Sequence, residues 1–130
     1  MDHEKYYKTL FIGGAFFNWI NGFSFIILSL LDPHIFTLFG SAEPPTLLFL
    51  HALLLLIITY GLGYFIVGLN LEKNEGVVVL GIVSKLSFFF SCLTYFIIGD
   101  VNIIIVILAS GDFIFACLFA EFLIRKYKNK

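Results

Sequence analysis

Long apolar stretches alternate with short polar ones along the chain. A helix that crosses the hydrocarbon core of a bilayer, about 30 Å thick, needs about 20 apolar residues. Between stretches of that length lie the proline-rich DPHIFTLFGSAEPP, the polar NLEKNEG and the short turn GDVN. Within the first connection, the apolar IFTLF is expected to lie back on the helices rather than to form a partner surface. The pattern predicts four transmembrane helices, at about 9–31, 46–69, 77–98 and 103–124.

Composition supports an integral membrane protein. Hydrophobic residues make up 60% of the 130 positions and charged residues 13%, whereas soluble domains contain about 25% charged residues. The connections are so short that neighbouring helices are expected to run antiparallel. Pro44 and Pro45 suit the first turn of a helix, so the second helix is expected to begin there. The predicted fold class is therefore all-α, with one transmembrane domain over 1–130 that forms an antiparallel four-helix bundle.

Basic residues are distributed unevenly between the two sides of the predicted bundle. Seven of the eight lysines and arginines lie before the first span, in the second connection or after the fourth span, and the first and third connections contain none. Since basic residues accumulate on the cytoplasmic side of a membrane, both termini are predicted to be cytoplasmic. The seven residues are Lys5, Lys8, Lys73, Arg125, Lys126, Lys128 and Lys130.

Polar residues interrupt all four spans at a similar depth. With a rise of 1.5 Å per residue, they lie about 12 to 18 Å from the cytoplasmic edge. An ionisable residue at that depth costs about 2.5 to 3.5 kcal/mol on insertion scales, and is expected to face the bundle interior or a watery cavity. The predicted ligand-binding layer contains Asn18, Asn21, Tyr60, Lys85 and Asp112.

The partner of Lys85 is left open by the sequence. Asp112 has the opposite charge, but the estimated depths of the two residues differ by about 6 Å, and side chains that tilt toward the N-termini of antiparallel helices move further apart. Glu121 is an alternative partner, and the long lysine stem also allows the ammonium to reach the cytoplasmic headgroups. The alternative for Asp112 is a protonated carboxyl group hydrogen-bonded to Asn21.

Motifs for other kinds of chemistry are missing from the sequence. Cys92 and Cys117 lie within apolar runs, and there is no C-x-x-C pair or His/Cys cluster, so neither a metal site nor a cofactor is predicted. No complete catalytic set is visible. Basic residues are not grouped with aromatic ones on a soluble face, so nucleic acid is not a predicted partner. The predicted partners are the lipid bilayer and a second copy of the chain or a larger membrane complex.

The chain contains, in order, the segments FNWINGFSFIILSLLDP, GSAEPP, YGLGYFIVGLNLEKN, GIVSKL and SGD. They resemble, in type and order, features of a group of small, uncharacterised bacterial four-helix membrane proteins that are distantly similar to DoxX-like families. The chain resembles that group over nearly its whole length, although Ser84 replaces a glycine that usually precedes the lysine. The resemblance implies a bacterial inner-membrane location, adds Tyr64 to the candidate ligand-binding residues and implies no substrate. The matching positions are Asn18, Pro33, Pro44, Pro45, Gly63, Tyr64, Lys85 and Asp112.

Three functions fit these observations. The predicted one is binding or transport of a small polar or amphipathic ligand, or of a proton, with Lys85 and Asp112 supplying the charge. Four short helices enclose little volume, so a carrier is expected to need a homodimer. A structural or accessory subunit, in which the polar layer only holds helices together, is the alternative. An enzyme acting on a lipid or quinone-like molecule, with Asp112 or Lys85 as general acid or base, is the weakest.

Overall fold

The computed structural model describes residues 3–129, and no strand occurs in that range. Four of its helices are long and apolar enough to cross a membrane, which confirms the prediction of an all-helical chain with four potential transmembrane helices. Lys130, one of the seven basic residues counted above, lies outside the described residues. The helices are α1 (His3–Leu31), a 3-10 helix (Pro33–Phe39), α2 (Leu48–Leu69), α3 (Glu75–Ile97) and α4 (Ile103–Lys128).

The outward surface of the helices is apolar, as a lipid environment requires. Ile20, Phe49 and Ile107 are 63%, 77% and 62% exposed, and many other large apolar side chains are exposed in the same way. A contiguous apolar surface of this kind is rare on soluble monomers. The structure therefore supports a multi-pass membrane protein.

The second helix begins later than the sequence predicts. Pro44 and Pro45 precede α2 instead of forming its first turn, and the helix begins at Leu48. The hydroxyl of Thr46 accepts a hydrogen bond from the Leu48 amide at 3.2 Å. A side chain that satisfies one of the free amides at a helix start favours this boundary over the prolines.

The helices associate as two closely packed pairs, α1 with α2 and α3 with α4. In the first pair, Trp19 Nε1 donates to the backbone oxygen of Ile58 at 3.1 Å. The indole lies directly over Gly61, where a Cβ atom would come within 2.6 Å of Nε1. Small residues allow membrane helices to approach this closely, and the tight α1–α2 contact therefore depends on Gly61.

The aromatic core lies in the half of the bundle that contains the chain termini. Phe11 stacks on Phe119 with ring centroids 4.6 Å apart and meets Phe122 edge-on at 5.0 Å. Towards the 3-10 helix, buried side chains are sparse, although Ser29 and Leu54 are examples. The tight packing is therefore concentrated in one half, and the other half contains a cavity.

The 3-10 helix lies over the cavity end of the bundle. Asp32 caps its first turn by accepting from the His34 amide at 3.0 Å, and the helix ends at Gly40 in a left-handed conformation (φ 78°). Asn102, just before α4, donates from its backbone N–H to the backbone oxygen of Phe39 at 2.7 Å and from its side-chain Nδ2 to the backbone oxygen of Leu38 at 2.8 Å. Phe39 is buried, so the expectation that IFTLF lies back on the bundle is met at this residue.

Candidate functional site

The ammonium group of Lys85 is the centre of the polar layer. Its side chain is only 3% exposed. Nζ donates to Asp112 Oδ1 at 2.8 Å and to Asn18 Oδ1 at 3.0 Å. Aromatic faces attract such a cation through their quadrupoles. Three rings have their centroids 5.2 to 5.4 Å from Nζ, those of Phe17, Tyr64 and Phe115.

The structure selects one of the alternatives that the sequence leaves open for Lys85. The Lys85–Asp112 pair is formed, because the lysine stem covers the difference in depth. Glu121 instead accepts from the Tyr7 hydroxyl at 3.2 Å and pairs with Arg125 at 3.3 Å. No hydrogen bond joins Asn21 to Asp112 among the described residues: Asn21 Nδ2 donates to the Phe17 backbone oxygen at 2.8 Å, and Asp112 accepts from Lys85.

Asn18 connects the ion pair of α3 and α4 to the other two long helices. The residue is 4% exposed, and while its Oδ1 accepts from Lys85, its Nδ2 donates to the backbone oxygen of Ile57 at 2.9 Å. One hydrogen-bonded network therefore joins α1, α2, α3 and α4. Such bonds between membrane helices contribute about 0.6 to 2 kcal/mol each.

The Tyr64 hydroxyl is buried without a hydrogen-bond partner among the described residues. The residue is fully buried, and its ring packs on Gly81, where a Cβ atom would lie 2.6 Å from the ring. Ser84 is close by, and although its hydroxyl donates to the Gly81 backbone oxygen at 3.0 Å and could still accept, it forms no hydrogen bond with Tyr64. A buried hydroxyl without a partner costs about 1 to 3 kcal/mol, so this group calls for an explanation.

A cavity of about 460 Å³ adjoins these polar groups. This volume is within the range of about 300 to 1,000 Å³ that is typical of small-molecule sites. All six candidate residues from the sequence line it, and together we name them the polar cluster. They are Asn18, Asn21, Tyr60, Tyr64, Lys85 and Asp112.

The rest of the cavity wall is mostly apolar. It extends from the polar cluster to Phe39 of the 3-10 helix, and it includes Phe25, Ile57 and Ile105. Sequence reasoning does not identify Ile57 or Ile105, because an isoleucine that faces a cavity has the same residue type as one that faces lipid. Ser84, which also lines the cavity, is noted in the sequence only as a departure from the resembling group.

The cavity is open at its side. Leu53 and Leu56 of α2 line it and are 42% and 58% exposed, and Leu108 of α4 lines it and is 45% exposed. These side chains belong to helices with apolar outward surfaces. The arrangement can therefore admit an amphipathic molecule from the side, with its polar end at the polar cluster.

Comparisons with known proteins give no match to a protein-family model, to a curated protein or to a solved structure. Within residues 3–129, no group of three or more His, Cys, Asp or Glu side chains is placed to hold a metal ion.

The Lys85–Asp112 pair predicts a non-additive mutant cycle. Lys85→Met and Asp112→Leu should each lower the free energy of unfolding by about 3 to 5 kcal/mol, because each leaves a buried charge without its partner, whereas the double variant should recover much of the loss. The measurement is unfolding of the purified protein in mixed detergent micelles. Losses that simply add in the double variant would contradict an energetic coupling between the two residues.

Replacing either of two buried tyrosines by phenylalanine should change the free energy of unfolding, with opposite signs at the two positions. Tyr64→Phe removes a hydroxyl without a partner and should raise the free energy of unfolding of the ligand-free protein by about 1 kcal/mol. Tyr7→Phe is the matched control, since the Tyr7 hydroxyl donates to Glu121 at 3.2 Å, and it should lower that free energy by about 1 kcal/mol. Thermal and detergent unfolding would measure both. A loss of stability in Tyr64→Phe would mean that its hydroxyl is satisfied in the ligand-free protein.

Proposed function

We propose that this protein binds a small amphipathic molecule of the membrane in the cavity between its helices. The polar cluster receives the head of the molecule, and the apolar walls hold its tail. The observation that carries the proposal is the position of a Lys85–Asp112 pair, amide groups and tyrosine hydroxyls at one end of an otherwise apolar cavity with a side opening. Transport of the molecule, in a homodimer or larger complex, extends the same proposal.

Two features favour binding over a purely structural role. Polar groups that only hold helices together need to be satisfied by one another, yet the Tyr64 hydroxyl has no partner among the described residues. Asp112 is 19% exposed and uses one carboxylate oxygen for Lys85. A bound molecule would supply partners for both groups.

A structural or accessory subunit is the second candidate. The observation in its favour is that Asn18, Lys85 and Asp112, together with the Ile57 backbone oxygen, connect all four long helices. In this alternative the cavity holds only lipid chains.

The proposal places both termini on the cytoplasmic side of a bacterial inner membrane, with the helices antiparallel. The distribution of lysine and arginine supports this orientation, and the DoxX-like resemblance of the sequence supports the location. Catalysis is not part of the proposal.

Single cysteines should report the orientation. In a background where Cys92 and Cys117 are replaced by alanine, Ala42→Cys should react with a membrane-impermeant thiol reagent in intact cells, and Asn129→Cys should react only after lysis. Both positions are exposed, so burial does not limit either reaction. Labelling of Asn129→Cys alone in intact cells would reverse the orientation.

Filling the cavity should remove the bound molecule. Ile105 lines the cavity, and Ile105→Trp should reduce the fraction of protein that carries a small molecule in native mass spectrometry at least about tenfold, equivalent to about 1.4 kcal/mol. Ile114→Trp on the same helix is the control, because Ile114 is 57% exposed and lies outside the cavity wall.

Equal retention in both tryptophan variants would place the bound molecule elsewhere. A wild-type protein that retains nothing after extraction in mild detergent, and is not destabilised by Ile105→Trp, would support the structural alternative.

A further inference from the structure

We infer that the bound molecule has an uncharged head with a hydroxyl group, which donates a hydrogen bond to the carboxylate of Asp112, and a single hydrocarbon tail. The inference rests on the proposed function, since it names the class of molecule that the cavity accepts. Three observations support it: the charge balance of the polar cluster, the accessibility of each of its groups to a ligand, and the shape of the apolar wall.

The charge of the polar cluster is already balanced. Lys85 and Asp112 are the only charged residues among the described residues that line the cavity, and their side chains are 2.8 Å apart. Its other members are asparagines and tyrosines. A phosphate or carboxylate head would therefore enter a poorly hydrated site without a free cation, and an ammonium head would compete with Lys85 for the same carboxylate. Burying an unpaired ion is far more costly than burying a hydrogen-bonded neutral group.

The carboxylate is the accessible half of the ion pair. Asp112 is 19% exposed, compared with 3% for Lys85, whose ammonium already contacts two oxygens and three rings. An arriving head group therefore meets an acceptor first, and it must bring a donor. A hydroxyl meets this need and also accepts from a tyrosine hydroxyl, which Tyr60 and Tyr64 provide at the same end of the cavity.

The apolar wall defines the tail. Side chains of Phe25, Ile57 and Ile105 line the path from the polar cluster to Phe39, the last residue of the 3-10 helix. The volume of about 460 Å³ suits one drug-sized molecule. A single hydrocarbon chain fits such a path, and the side opening at Leu53 and Leu108 lets a longer chain continue into lipid.

Three photoreactive probes test the head group. Each has the same single alkyl chain with a diazirine on it, and the heads are a primary alcohol, a carboxylate and a trimethylammonium. The full-length protein in mild detergent is irradiated with each probe, and the labelled residues are mapped by mass spectrometry. The alcohol probe should label the cavity walls of α2 and α4 at least about tenfold more than either charged probe, and Ile105→Trp should abolish the labelling.

A change of one charge should switch the selectivity. Asp112→Asn leaves Lys85 as the only charge in the cluster, so the carboxylate probe should become the preferred one by at least about tenfold. Asp100→Asn is the matched control, since Asp100 is exposed and outside the cavity wall, and the alcohol preference should persist. If Asp112→Asn does not fold, the double variant Lys85→Met/Asp112→Leu removes both charges together, and it should label equally with the alcohol probe and with a headless alkyl probe.

The outcomes separate the inference from the proposed function. Cavity labelling that is equal for all three heads, or stronger for a charged head, would overturn the inference of a neutral hydroxyl head. The proposed binding of an amphipathic molecule would still hold. Unchanged alcohol preference in Asp112→Asn would overturn the role of Asp112. Failure of every probe to label the cavity would overturn both the inference and the proposed function.

Discussion

A lysine ammonium buried in an apolar bundle needs a partner on every side, and this requirement constrains the position of every long helix. The partners of Lys85 come from different helices: Asp112 from α4, Asn18 from α1 and the Tyr64 ring from α2. Because the cost of an unpaired charge at this depth is several kcal/mol, a shift of one helix along its neighbours would break the network. The ion pair thus fixes the register of the bundle at one level.

The packing on the two sides of this level has different physical causes. Towards the termini, aromatic rings such as Phe11 and Phe119 interlock, and tight contacts such as Tyr64 on Gly81 bring helices close. Towards the 3-10 helix, the wall residues are large and apolar, and they leave space. In water such a space would favour collapse, but lipid chains are as apolar as leucine, so little driving force exists to close it.

The sequence predicted the four potential transmembrane helices. It also predicted five members of the polar cluster, because polar residues are conspicuous within an apolar span, whereas Tyr64 was suggested only by the resemblance. It did not predict the start of α2 at Leu48, where the hydroxyl of Thr46 outweighs the preference of Pro44 and Pro45 for a first turn. The apolar cavity wall on α2 and α4 was also beyond prediction. Ile105 and Ile114 belong to the same residue type on the same helix, and only the fold decides which one lines the cavity.

The properties of the wall limit where selectivity can arise. An apolar cavity that opens to lipid receives hydrocarbon from the bilayer at little cost, so the wall alone cannot distinguish one membrane molecule from another. Discrimination becomes large when a site contains buried polar groups that a wrong ligand leaves without partners. Only the end of the cavity at Tyr64 and Asp112 meets that condition, with a hydroxyl that has no partner among the described residues and a partly exposed carboxylate. In the proposed function, the Tyr64 hydroxyl, which lacks a partner among the described residues, and the partly exposed Asp112 carboxylate are the groups that select the head group.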